Sequence, residues 1–399
     1  MRVVLFKGPS QYDGTRTFID ELARAFTARG YAPAVHDLAG VADVEAAIAA
    51  AAIPGEPTAL VFSINILGEH KDREGRNVSE IFAAPQVVLH VDYILSQASR
   101  LRATPSTTSL LSVDPTQVAA VNAIFGADRF AAVAFCPHGA VGEPWQDADL
   151  EAFLQRREIP ILWSGTFQKP GPPIWDSQPP QVRKLYEDAV ELALSVEWMP
   201  PLDALDQVLR AAGADPANPA LQTARCDAGH IDARVRVIRR FELISRLAES
   251  GLPLAICGHG WEGLDLPNAR LLGPLPMAEA VEAMARARIV LNTNGNFGAG
   301  SHERPLSALL AGAAAFSDRS AFYAEAFMED EELVLYRWKA LDAGLERLAQ
   351  LHADPQAAFR IGQRGGAKVR AGHRWADRLD IILDAARASR QALGLESVG

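Results

Sequence analysis

Short aliphatic and β-branched runs alternate with stretches of helical apolar spacing along nearly the whole chain, and this alternation constrains the fold more than any single motif. Val3–Phe6, Ala32–His36, Ala59–Ile66, Gln86–Val91, Ser109–Val113 and Ala131–Cys136 read as strands. Between them, residues 15–29 place Phe18, Ile19, Leu22 and Phe26 on one helical face, and Gly30 closes that helix. Residues 43–52 and 118–125 read as further helices. After residues 140–158, which read as a linker, a second series begins with residues 159–163 and the turn Ser164-Gly165-Thr166. A Pro-rich stretch and a long helical region, about 180–249, interrupt it. Strand patterns then resume at 253–257, 269–272, 289–291, 313–316 and 333–335, with helical intervals between. Strands separated by helices predict βαβ units and mainly parallel sheets.

The expected fold class is therefore α/β, with two Rossmann-like domains facing across a cleft. The first spans 1–158 and the second 159–372, with a helical insertion at about 180–249. A C-terminal helix, 373–399, is expected to pack back towards the first domain. In such sheets ligands collect at the carboxyl ends of the strands. A chain of 399 residues, 49 % hydrophobic, has enough apolar side chains for two such cores. Its net charge of −10, with no Lys/Arg-rich run, argues against nucleic acid or a membrane surface as partner. Cys136, Cys226 and Cys257 are far apart and form no CxxC pair, which predicts reduced thiols and a cytoplasmic location. No run of about 20 apolar residues predicts a membrane span.

One segment carries most of the chemistry: IVLNTNGNFGAGSHERPLSALLAGAAAFSDR, residues 289–319. A strand breaks at Asn292 into a loop rich in Gly and Asn, and Ser301, His302, Glu303, Arg304 and Pro305 open a helix. A helix N-terminus offers unpaired N–H groups and partial positive charge, so this is a site for an anionic or nucleotide ligand. Ser301 fits a helix cap, and Glu303 suits the positive end of the dipole or a sugar hydroxyl. Arg304 fits neither role. A cation is unfavourable in a first helical turn unless an anion sits beside it.

Other features carry two readings each. His138 follows the last strand of the first half and is either a cleft-facing ligand or an ordinary hinge residue. Asp13 and Asp92 also follow strands and are either general bases for an acceptor hydroxyl or turn and surface carboxylates. Gly258–Gly263 fits GxGxxG, but no helical pattern follows it, as a dinucleotide site requires. Asp147-Ala148-Asp149 fits a metal-binding DxD, yet it precedes a helix and reads better as a cap. The nine histidines show no metal-ligand spacing, so no metal site is expected.

Several of these pieces, in order, resemble the GT-B fold glycosyltransferases, in particular the bacterial, spore-maturation-type CgeB-like group. ILWSGT (161–166) resembles the first strand and turn of its donor domain, and CGHGWE (257–262) its G-x-G-W step. ARARIVLN (285–292) is similar to its next strand, SHERPLSALLAG (301–312) to its HER helix, and HRWADR (373–378) to its closing helix. The resemblance covers 159–385 and implies a hexosyltransferase-like enzyme. It would use a nucleoside-diphosphate sugar as donor and an acceptor bound by the N-terminal domain. No cofactor or metal is expected, because Arg304, Lys169 and the helix dipole would supply the positive field at the leaving diphosphate. Carried over, Gly165 and Thr166 would lie near the diphosphate, with Lys169 and Asn292 nearby. Ser301, His302, Glu303 and Arg304 would contact diphosphate, ribose or sugar. Ser307 stands where retaining members carry a ribose-binding Glu, which leaves retention or inversion open. Sugar, nucleotide base, acceptor (glycan, lipid-linked glycan or protein) and oligomeric state are not specified. An epimerase of the same fold and a non-catalytic sugar-nucleotide-binding module are the alternative functions. The 180–249 region is expected to shape the acceptor side or an oligomer contact.

Overall fold

The computed structural model describes residues 1–65, 68–168, 171–295 and 297–396. The chain forms two compact units. One comprises Met1–Gly139 together with the C-terminal segment from Arg374, and the other Ala140–His373.

The first unit holds one parallel sheet built from β1 (Arg2–Lys7), β2 (Ala32–Asp37), β3 (Thr58–Ile64), β4 (Gln86–His90), β5 (Ser109–Ser112) and β6 (Ala132–Phe135). Their order is β2-β1-β3-β4-β5-β6. Every residue of β3 and β4 is buried, as in a parallel sheet covered on both faces. That is why these strands are legible as continuous apolar runs. The C-terminal helix Leu379–Ala392 packs on this sheet. Ser389 accepts a hydrogen bond from the Gln86 N–H (3.0 Å) and donates to Thr107 O (2.6 Å), while Ser109 donates to Ala385 O (2.7 Å).

The second unit holds β7 (Ile159–Ser164), β8 (Leu254–Cys257), β9 (Ala269–Gly273), β10 (Ala287–Asn292), β11 (Ala314–Asp318) and β12 (Val334–Tyr336). This sheet is also six-stranded and parallel, ordered β12-β11-β10-β7-β8-β9. The two α/β, Rossmann-like units are as expected from the alternation. Residues 140–158 are more ordered than a linker, since they carry the helix Leu150–Arg156. They also bury Arg157, whose guanidinium pairs with Asp147 (2.8 Å) and donates to Ala287 O and Ala311 O.

Between β7 and β8 the helices Pro180–Ser195, Pro201–Ala211, Gln222–Cys226 and Ala228–Glu249 form a subdomain with its own core. Trp175, Tyr186, Ala189, Leu205, Leu209 and Ile231 are buried there. The last two of these helices are separated at Asp227.

Candidate functional site

The helix Glu303–Leu310 starts at the carboxyl end of β10 and ends in a glycine turn. Gly312 (φ +80°) donates its N–H to Leu309 O, and Ala313 donates to Ala308 O. This is a Schellman ending that needs a left-handed residue at Gly312. At the other end His302, not Ser301, is the cap residue; Ser301 is wholly buried. The His302 Nδ1 lies 2.7 Å from Glu303 Oε2 and 3.3 Å from the Arg304 N–H. One nitrogen cannot donate to the first and accept from the second. The shorter contact prevails, so Nδ1–H donates to Glu303 and the cap is weak. Burial holds the His302 imidazolium below its ordinary range, so the ring is neutral at neutral pH. The Tyr323 hydroxyl pins the turn, accepting from His302 N (3.0 Å) and donating to His302 O (2.6 Å).

Arg304 points back into the unit and is only 9 % exposed. Its Nη1 donates to Asn292 Oδ1 at 2.6 Å, and its guanidinium carbon lies 5.9 Å from the centre of the Trp163 ring. Asn292 is itself oriented by hydrogen bonds from its Nδ2 to Ser317 Oγ (2.9 Å) and Asn294 Oδ1 (3.2 Å). Arg304 makes no ion pair among the described residues, and burial lowers the affinity of its guanidinium for its proton. Asn292 is a neutral partner, and the carboxylates of Glu303 and Asp318 act on the charge through space without an ion pair to it among the described residues. The helix end and strand end therefore present a buried cation, which is what an anion site requires.

The Gly-rich loop is held by a residue not singled out from sequence. Asp318 ends β11 and accepts from Asn294 N (2.6 Å) and from Trp338 Nε1 (3.1 Å). Burial pushes its carboxyl up to about 6. The turn after β7 is fixed in turn by the loop after β8. Gly165 donates to Cys257 O (2.9 Å), Phe167 to His259 O (2.9 Å), and Trp261 Nε1 to Gly165 O (2.7 Å). This accounts for the GxGxxG pattern. A Cβ on Gly258 would lie 2.3 Å from Gly165 O, and one on Gly260 would lie 2.0 Å from Phe167 O. The glycines permit two loops to meet; turns and β9 follow, not a helix.

Asn292, Ser301, His302, Glu303, Arg304, Gly165 and Thr166 thus belong to the loops and helix start at one end of the β7–β10–β11 sheet. Lys169 lies outside the described residues. The remaining candidates are in the first unit. Asp13 is exposed, holds a left-handed backbone (φ +59°), and pairs with Arg16 at 3.1 Å. Asp92 is exposed and accepts from Asn65 Nδ2 at 2.7 Å. His138 is 2 % exposed, its ring set against Phe18 and Trp375, and its carbonyl accepts from Arg378. In the DxD stretch, Asp149 caps the following helix by accepting from Ala152 N (2.9 Å), and Asp147 is consumed by Arg157. Among the described residues no group of His, Cys, Asp or Glu is placed to hold a metal ion, and no helix is long and apolar enough to cross a membrane.

Residues 239–384 match the family model described as "Glycosyl transferase-like". No curated protein matches the chain in sequence. Among solved structures, an alpha-glucosyltransferase in complex with UDP and a 13-mer DNA containing a HMU base aligns over 97 % of this chain and 99 % of its own. Its identity is 10 % and its TM-score 0.57. An alpha-glucosyltransferase in complex with UDP-glucose and DNA containing an abasic site aligns over 97 % of this chain and 99 % of its own, at 13 % identity and TM-score 0.52. The two parallel sheets make the GT-B fold, and the matched stretch, which contains Arg240, Asn292, Arg304 and Asp318, is glycosyltransferase-like.

Proposed function

We propose that this protein is a metal-independent glycosyltransferase that moves a sugar from a nucleoside-diphosphate sugar to an acceptor hydroxyl or similar nucleophile. The observation that carries the reading is Arg304: a buried cation without a carboxylate partner, at a helix N-terminus, inside the stretch that matches glycosyltransferases. The UDP and UDP-glucose of the structurally similar enzymes are consistent with a nucleotide sugar here.

The demanding step is departure of the nucleoside diphosphate from the anomeric carbon. Negative charge grows on the leaving phosphate oxygen, and a preoriented guanidinium with the helix N–H groups stabilises it without reorganising. Asn292 keeps Arg304 in that orientation, and Asp318 keeps the Gly-rich loop against it. Neutral His302, bonded to Glu303, serves as a hydrogen-bonding group for sugar or ribose hydroxyls. Gly165, Thr166 and Ser301 supply backbone at the phosphate, and Lys169 follows them in sequence. For the acceptor, Asp13 and Asp92 are the exposed carboxylates at the strand ends of the first unit, where a general base is needed if the reaction inverts. His138 enters as a positioning group, since its ring is enclosed. Ser307 is wholly buried and its Oγ accepts from Val141 N (2.9 Å), so a ribose-binding role does not fall to it.

Incubation with UDP-, GDP-, dTDP- and CMP-sugars, with and without simple glycoside acceptors, tests the proposal in the presence of a chelator. Transfer, or slow donor hydrolysis with release of the nucleoside diphosphate, is the expected result for one of the UDP-, GDP- or dTDP-sugars, with the CMP-sugars as the monophosphate control. Conversion of the donor to its epimer, or binding with no turnover for any donor, refutes it.

A further inference from the structure

The long helix Ala228–Glu249 reads in sequence as part of an insertion, yet it delivers two arginines to the loops around Arg304. The Arg240 guanidinium donates to Thr166 O, the turn after β7. Its carbon stands 5.8 Å from the centre of the Trp163 ring, the same ring that Arg304 approaches to 5.9 Å. The Nε of Arg240 is buried with no hydrogen-bond partner. Arg236, one helical turn earlier, lays its side-chain stem on the Gly-rich loop: a Cβ on Gly295 would lie 3.0 Å from Arg236 Cγ. Neither arginine forms an ion pair among the described residues.

Neighbouring charges confirm the crowding. The Arg240 guanidinium is pushed down to about 9, first by burial and then by the positive charges of Arg236 and Arg304. A folded chain does not gather like charges at a partly buried place for stability's sake. The contrast on the same helix is Arg239, which is satisfied structurally: it donates to Ala193 O and Val196 O and lies over the Trp338 ring. The subdomain is fastened at this position by other contacts. The Glu197 carboxylate accepts from Trp338 N and Lys339 N, both at 3.0 Å, and the Trp198 ring occupies the space where a Gly298 Cβ would stand.

We propose that Arg240 and Arg236 are anion ligands of the same site as Arg304, and that the three together clamp the diphosphate of the donor. The inference rests on the nucleotide-sugar reading and deepens it. It gives the helical subdomain the task of completing the donor site, in place of the acceptor-side or oligomer role expected from sequence. A diphosphate is the fitting class of ligand because its two phosphates offer charge to several cations at once, where a monophosphate or nucleoside does not. Arginine suits both the bidentate geometry and a position near the face of the Trp163 ring.

The experiment uses the whole protein, a chelator, and three probes: inorganic pyrophosphate, the best-binding nucleoside diphosphate, and its parent nucleoside. Binding is measured by calorimetry for the parent, Arg240→Gln, Arg240→Lys and Arg236→Gln, each with a thermal melt of the ligand-free protein. The expected result for each Gln variant is a loss of at least about tenfold for pyrophosphate and nucleoside diphosphate, with the nucleoside within about twofold, by the strength of a charge-assisted pair. Arg240→Lys should recover part of the loss, and the ligand-free midpoint should hold or rise. Equal losses for nucleoside and diphosphate would mean that Arg240 merely supports the Thr166 turn, and would overturn the assignment. So would unchanged diphosphate binding in both Gln variants. Failure of the parent protein to bind any of the probes overturns the nucleotide-sugar reading beneath it.

Discussion

Replacing Arg304 by methionine separates catalysis from stability at one residue. The change removes a buried cation and keeps much of the volume. Two stability effects oppose each other. Asn292 Oδ1 loses its 2.6 Å donor, which costs about 1–3 kcal/mol for a buried acceptor left unmet. Against this, replacing a poorly compensated buried ion by an apolar side chain of similar size recovers about 1–4 kcal/mol. Asn292 keeps its bonds to Ser317 and Asn294, so the strand end holds its shape. The net change should be within about 2 kcal/mol, and the melting midpoint within about 5 °C of the parent. Catalysis has no such compensation. Loss of one preorganised donor to a developing anion costs roughly 3–4 kcal/mol, a fall of about 10²–10³ in kcat/KM. The assay is nucleoside-diphosphate release under saturating acceptor, paired with a thermal melt. Turnover at the parent rate refutes the reasoning. So does a midpoint lowered by more than about 10 °C, which would make Arg304 a structural residue.

Three further predictions follow from the same contacts. The Asp318 carboxyl is held at about 6 instead of 3.8, so its ionised form costs the fold about 3 kcal/mol; because the folded-state value is raised, the parent should lose stability relative to Asp318→Asn as pH rises from about 4 to 7, and parallel stability–pH curves would contradict this. Gly260→Ala should lower the midpoint and weaken donor binding, because its Cβ would meet Phe167 O at 2.0 Å, whereas Gly263→Ala, equally left-handed but with open space, should show only strain of about 1 kcal/mol; equal effects in the two variants would count against the loop packing. For an inverting reaction, Asp92→Asn should cut transfer at least about tenfold without changing the donor dissociation constant, as expected for a base acting on the acceptor; unchanged transfer or a shifted donor affinity would count against that role.

The strands were legible because the inner residues of buried parallel strands are continuous apolar runs, as at 59–62 in β3, 87–89 in β4, 289–291 in β10 and 314–316 in β11. Arg304 was legible because its charge conflicts with a first helical turn. Its companions were not. Arg236 and Arg240 sit among other arginines on an amphipathic helix, where such a run looks like a solvated face until the helix is placed. Asp318 looks like a strand stop, since nothing in the sequence shows that Asn294, across the loop, will use it as an acceptor. The glycines of GHGWEG match a phosphate-loop pattern without the helix that such a loop needs, because φ > 0 and close approach serve more than one purpose. Here the approaching backbone is Gly165–Phe167. The cap falls to His302 because the helix begins at Glu303, one residue later than a Ser301 cap requires.

The central claim is that the strand ends of the second unit bind a nucleoside diphosphate through buried arginine charge. The most direct measurement is a thermal melt of the parent and of Arg304→Met against UDP-, GDP-, dTDP- and CMP-sugars and the matching sugar 1-phosphates. One of the UDP-, GDP- or dTDP-sugars at about a hundred times its dissociation constant should stabilise the parent by about 2.7 kcal/mol, a rise on the order of 5–10 °C, and the CMP-sugars, which carry one phosphate, should do little. Arg304→Met should lose most of that rise, and the sugar phosphates should do little. A parent midpoint that no nucleotide moves at millimolar concentration, or one that moves equally in Arg304→Met, contradicts the claim.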